Sequence, residues 1–129
     1  MLLTGDQYKD ISKSVERMLL AINQTTNRER RRKSNEVRNF LNLKSKFSGA
    51  DIVGDIIVKL TRPELRQLHT LYLTKVSALT SVVIPGYEDR ISKTSTQEAK
   101  ELYKKYIDKA QKSMAEYGKL LKQIEKEIK

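Results

Sequence analysis

STQEAKELYKKYIDKAQKSMAEYGKLLKQIEKEIK, residues 95–129, decides the fold class of this chain. Ser95 followed three residues later by Glu98 is a helix-start signature, in which the hydroxyl accepts from an orphaned backbone N–H and the acid reaches back. From there Tyr103, Tyr106, Ala110, Met114, Tyr117, Leu121, Ile124 and Ile128 recur at helical spacing. On a helical wheel they fall within an arc of about 80°, and polar residues take the remainder. Such a helix is roughly 50 Å long, with a stripe closer to a coiled-coil seam than to a globular core face. A small domain hardly covers so long a seam. Its distal half is therefore expected to pack on another subunit or another protein. Glu101/Lys105, Asp108/Lys112 and Glu125/Lys129 stand four apart with the acid first, which predicts stabilising ion pairs along the solvent face.

Working upstream, the same start signature recurs at Thr4/Gln7, Thr26/Glu29 and Thr61/Glu64, each ahead of a run with helical periodicity. The first predicts a helix from Gly5 to Asn23 with Tyr8, Ile11, Val15, Met18, Leu19 and Ile22 on one face. The second predicts a helix carrying Val37, Phe40, Leu41, Leu43 and Phe47 and ending near Gly49. Ile52, Val53, Ile56, Ile57 and Leu60 also repeat in a helical pattern, with a strand as the alternative because of the β-branched residues and Gly54. After Thr61, with Pro63 in the first turn, Leu65, Leu68, Leu71, Tyr72, Val76, Leu79 and Val82 cover an arc wide enough for a central core helix. Pro85-Gly86 is expected to stop it, leaving residues 87–94 as a charged loop.

The whole therefore reads as all-α, a small helical bundle of four to five helices with a long C-terminal helix extending as a coiled-coil-like arm. Residues 1–94 form the basic helical core, and residues 95–129 form the long helix, part of the same domain or an assembly arm. A composition of 38% hydrophobic against 33% charged residues suits helices with one apolar stripe and a wide solvated face. No cysteine is present, so disulfides and thiolate chemistry are excluded, and an intracellular setting is expected. Met1-Leu2-Leu3-Thr4-Gly5-Asp6 has neither the basic start nor the apolar run of a signal peptide. Residues 68–84 are the most apolar stretch, but they fall short of a membrane span and include His69 and Lys75.

Charge is spread unevenly. Of a formal net charge of +10, residues 28–46 hold +6, from eight basic residues against Glu29 and Glu36. On one helix, Arg28, Arg31, Arg32 and Arg38 lie within about 120° of arc, opposite Val37, Phe40 and Leu41. Arg30, Lys33, Lys44 and Lys46 add to the field. Arginine predominates, and its planar fork suits phosphate oxygens. No zinc-finger spacing, RNP motif or GXXG loop accompanies the basic run, so contact is expected with the nucleic-acid backbone and not with particular bases. The plainer alternative is a solvated basic face that meets acidic protein surfaces.

Catalytic equipment is not apparent. His69 is the only histidine and sits in an apolar helix, where a packed role is expected; alone it makes no zinc site. Asp51 and Asp55 share a helical face, but acids near a helix start answer to the dipole. Ser48-Gly49-Ala50-Asp51-Ile52-Val53-Gly54 lacks the Gly-Lys-Ser/Thr ending of a phosphate-binding loop. Tyr87, beside Gly86, is the one tyrosine expected to be an exposed contact. These features predict a non-enzymatic protein with no cofactor, no metal, no small-molecule substrate and no membrane role. It would bind nucleic-acid phosphates and self-associate or dock through its last helix, in the cytoplasm or within a virion or nucleoprotein particle. The alternative function is a protein-interaction module, an assembly adaptor or inhibitor, that uses the Tyr103–Ile128 stripe alone.

Overall fold

The computed structural model describes residues 1–49 and 53–129. The chain is all-α, with one short ribbon of two strands among the described residues. It divides into two compact units, Met1–Leu68 with Glu127–Lys129, and His69–Lys126.

In the first unit, helix α1 (Gly5–Asn23) starts as its signature predicts. The Gln7 amide donates to Thr4 Oγ1 at 3.1 Å, and the Thr4 amide donates to Gln7 Oε1 at 3.0 Å. Tyr8, Ile11, Val15, Leu19 and Ile22 are buried, one side chain per turn or slightly more often. Thr26 opens α2 (Asn27–Arg32), which buries nothing. Lys33, at φ −102° and ψ 26°, separates it from α3 (Ser34–Lys46). The single second helix of the sequence reading is thus two helices. Only the later part has an apolar stripe to lay on α1, and the regular ladder breaks where that stripe begins. Phe40, Leu43 and Phe47 are buried, whereas Leu41 faces solvent and is corrected from the expected apolar face.

Tyr8 fixes the end of α3. Its hydroxyl donates to the Lys46 carbonyl at 3.1 Å and accepts from the Gly49 amide at 3.1 Å, and its ring lies 5.0 Å from that of Phe47. The helical reading of residues 52–60 fails in the described part, and Ile52 and Asp51 lie outside the described residues. Ile56–Ile57 is strand β2, antiparallel to β1 (Leu2–Leu3), with Leu2 opposite Ile57 and Leu3 opposite Ile56. Strand alternation puts Leu3 inside and leaves Leu2 and Ile57 exposed. Gly54, at φ 87°, takes a backbone conformation that interrupts any helix there.

Helix α4 (Arg62–Ala78) begins on the Thr61/Glu64 box and runs into the second unit. Pro85-Gly86 does not stop the chain's helical course. Leu79–Val83 forms a π-helical turn in which the Ile84 amide donates to the Leu79 carbonyl, and α5 (Ile84–Lys93) follows at once. Proline has no N–H to give and its ring crowds the carbonyl one turn back; the wider turn just ahead relieves both. The expected loop over residues 87–94 is thereby mostly helix. The wide apolar arc is also only half a core face, since Leu71 and Tyr72 are buried but Val82 is 68% exposed.

Helix α6 (Gln97–Ile128) is the long C-terminal helix, and it opens one residue later than a Ser95 cap implies. In the second unit the Tyr72 and Tyr117 rings meet edge-on at 5.3 Å, and Lys75 Nζ sits 5.0 Å from each centroid. His69 Nε2 lies 3.0 Å from Glu125 Oε1, tying α4 to α6. No helix among the described residues is long and apolar enough to cross a membrane.

Candidate nucleic-acid interface

The basic residues of α2 and α3 fall into two groups. Arg28, Arg30, Arg31, Arg32, Lys33, Arg38 and Lys44 are exposed. Lys46 is not one of them, because its ammonium donates to Glu64 Oε1 at 2.5 Å and Glu64 is buried. Lys46 is therefore a strut of the first unit and is withdrawn from the candidate surface.

The Glu64 carboxylate accepts a second bond beside that of Lys46, and its own amide closes the box. The Thr61 amide donates to the same Oε1 at 2.8 Å, while the Glu64 amide donates to Thr61 Oγ1 at 3.4 Å. Burial pushes its carboxyl up, but the hydrogen bonds from Lys46 and Thr61 and the Lys46 charge outweigh that and hold it below its ordinary value. The sequence signals the Thr61/Glu64 box. It does not signal that a lysine 18 residues upstream completes it.

Within the exposed group the partners are few. Arg32 bridges to Glu29 at 2.9 Å, and Arg30 Nη2 donates to the Thr25 carbonyl at 3.3 Å. Both contacts are at the surface, where such bonds contribute little and exchange readily for a ligand's oxygens. Arg28, Arg31 and Arg38 have no ion pair among the described residues. Arg28, Arg31 and Arg32 stand at i, i+3 and i+4 and share a face of α2. Arg38 lies past the irregular Lys33, so the single wheel that grouped it with them does not apply.

Asn27, Arg30, Arg31, Ser34 and Val37 line an open hollow along the α2–α3 junction. It offers guanidinium, amide and hydroxyl donors over an apolar base, a set that fits a phosphate oxygen's need for several donors. A second, more enclosed hollow has Met18, Ala21 and Ile22 as its floor, with Glu29, Arg30, Lys33 and Glu36 around it. Its mixed charges give no anion preference.

The α6 stripe is arranged differently from its expectation. Ala110, Leu121 and Ile124 are buried, Tyr103, Met114, Tyr117 and Ile128 are half-buried, and Tyr106 is 40% exposed. The distal half, expected to lie open for another chain, is thus the covered half. The exposed large apolar side chains of α6 are Leu102 and Tyr106, near its start. Nor do the Glu101/Lys105, Asp108/Lys112 and Glu125/Lys129 pairs close; Glu125 turns to His69, and Lys119 meets Glu116 at 3.3 Å. Tyr87, expected as an isolated exposed contact, packs with Tyr103 and Tyr106. Among the described residues no three His, Cys, Asp or Glu side chains gather as a metal site. No protein-family model matches this chain, and no curated protein or solved structure is significantly similar to it.

Proposed function

We propose that this chain is a non-enzymatic protein that binds the phosphate backbone of nucleic acid through Arg28, Arg30, Arg31, Arg32, Lys33, Arg38 and Lys44. It would act within a larger nucleoprotein assembly, of which a virion is one kind. The observation that supports this reading is a six-residue helix that buries nothing and yet concentrates exposed arginines, three positions of which share one face. Like charges at i, i+3 and i+4 repel, and of Arg28, Arg31 and Arg32 only Arg32 meets an acid, Glu29, among the described residues. A polyanion removes that repulsion and gains bidentate contacts to its oxygens. Binding of this kind is insensitive to base sequence, because phosphates position a protein without identifying a sequence. Docking through the distal α6 stripe loses its basis, since Leu121 and Ile124 are already covered.

The test is binding of purified, nuclease-treated protein to labelled duplex and single-stranded DNA and RNA across a salt series. Affinity should fall steeply with salt, in proportion to the number of phosphates neutralised. Replacing Arg28, Arg31 and Arg32 together with Gln should weaken binding to every sequence and lower the salt slope by about 3. An unchanged slope in that variant excludes this surface.

A further inference from the structure

Three tyrosines gather between α5 and α6 inside the second unit. Tyr87 lies 6.0 Å from Tyr103, nearly parallel to it, and 5.3 Å from Tyr106, while Tyr103 and Tyr106 meet edge-on at 6.3 Å. The Arg90 guanidinium carbon sits 5.9 Å from the Tyr103 centroid, one turn along α5 from Tyr87. Packing of α5 on α6 accounts for the half-buried Tyr87 and Tyr103. It does not account for Tyr106, which is 40% exposed, or for Leu102 one turn before it, 46% exposed. Around Tyr106 stand Lys105 and Lys109, both exposed and neither with an ion pair among the described residues. The acids of this segment, Glu101 and Asp108, also stand exposed without closing on those lysines.

An aromatic ring held by two others and bordered by unpaired cations matches what an unpaired nucleobase needs. Its flat face stacks on a ring, and its phosphates follow the adjacent positive charge. A duplex keeps its bases stacked on each other and offers no such face. We infer that the Tyr87–Tyr103–Tyr106 cluster is a stacking platform for unpaired bases of single-stranded nucleic acid, with Tyr106 as the contacting ring and Lys105 and Lys109 on the backbone. This rests on the phosphate-binding reading above and adds a substrate class to it: single strands are held at the tyrosines as well as by charge.

The chain has six tyrosines and no tryptophan, so its intrinsic emission reports the tyrosines directly. Titration with oligo-dT or oligo-U should quench that emission, and a duplex of equal length should quench it much less. Tyr106→Leu keeps an apolar side chain but removes the aromatic face, and should lower single-strand affinity about fivefold to a hundredfold, with duplex affinity unchanged. Tyr106→Phe retains the ring and should restore single-strand binding. Equal losses for single strand and duplex in Tyr106→Leu, or no loss for either, overturn the platform and leave the arginine surface standing. Single-strand binding that survives the triple arginine replacement but is lost in Tyr106→Leu would instead remove the arginine surface and keep the platform. Absence of binding to any nucleic acid at low salt removes both.

Discussion

Helices α1 and α2 start on the same device, a threonine hydroxyl accepting from the amide three residues on, and then have opposite fates. In α1 the Gln7 side chain returns the bond, and 19 residues follow with a buried face. In α2 the Glu29 side chain turns to Arg32 instead, and the helix ends after six residues with nothing buried. An isolated helix of that length has no stability of its own. What holds α2 is its cap and its continuation into α3. A buried face makes α1 part of the fold, whereas α2, without one, holds its arginines at the surface. The contrast separates side chains that hold the unit together from side chains that stand on its surface.

The largest effect belongs to α1. Ile11 is fully buried, so Ile11→Ala removes contacts and leaves a cavity that its neighbours fill only in part. A loss of about 3 kcal/mol is expected from urea denaturation followed by circular dichroism. A loss below about 1 kcal/mol would mean that α1 is not the packed side of the comparison.

Glu64 comes next, because it fastens the same unit from the other end. In Glu64→Gln the Lys46 ammonium loses its charged acceptor, and a loss of about 2 kcal/mol at neutral pH is expected. The dependence on pH follows from the lowered carboxyl value. Its contribution is complete above the ordinary glutamate value, about 4.3, and is lost as pH falls through the lower folded-state value. Stability curves of the parent and of Glu64→Gln should therefore converge on strong acidification. A constant gap down to about pH 2 would show that Glu64 acts by shape and not by charge.

What the sequence disclosed about these two helices was unequal for a physical reason. The threonine boxes and the apolar spacing of α1 are local, so Thr4, Gln7 and the run from Tyr8 to Ile22 announce the helix without reference to anything else. The β1–β2 ribbon is not local. Ile56 and Ile57 combine a helical spacing with β-branched side chains, which leaves helix and strand both open, and pairing with Leu2 and Leu3, far away in the chain, decides for the strand. The Lys46–Glu64 pair was hidden in the same way: a lysine in a basic run looks like surface charge until its acceptor folds against it. Pro85 misled for a different reason. It is a local breaker in a regular α-helix, but a π-helical turn ahead of it removes the clash. The candidate surface was legible as far as charge count and face. The break at Lys33 and the burial of the distal α6 stripe were not, since both depend on which partner the apolar residues find.

The smallest stability effect should come from the cap of α2, and it is the sharpest test of the contrast. Thr26→Ala removes the hydroxyl that accepts from the Glu29 amide at 3.2 Å. An N-cap of this kind contributes about 1 kcal/mol to the helix it opens, but α2 adds no buried residue to the rest of the unit. The loss should therefore appear locally: faster hydrogen exchange at the amides of residues 29–32, with global unfolding in urea shifted by less than about 0.5 kcal/mol. Thr4→Ala removes the matching hydroxyl from a helix whose buried face is part of the unit's cooperative core. Its cost of about 1 kcal/mol should appear in the global transition. Equal global losses in the two variants would mean that α2 is packed as α1 is, and its arginines would then have a structural reason to be where they are. Unequal losses would place α2 outside the unit's cooperative core, as its lack of a buried residue implies.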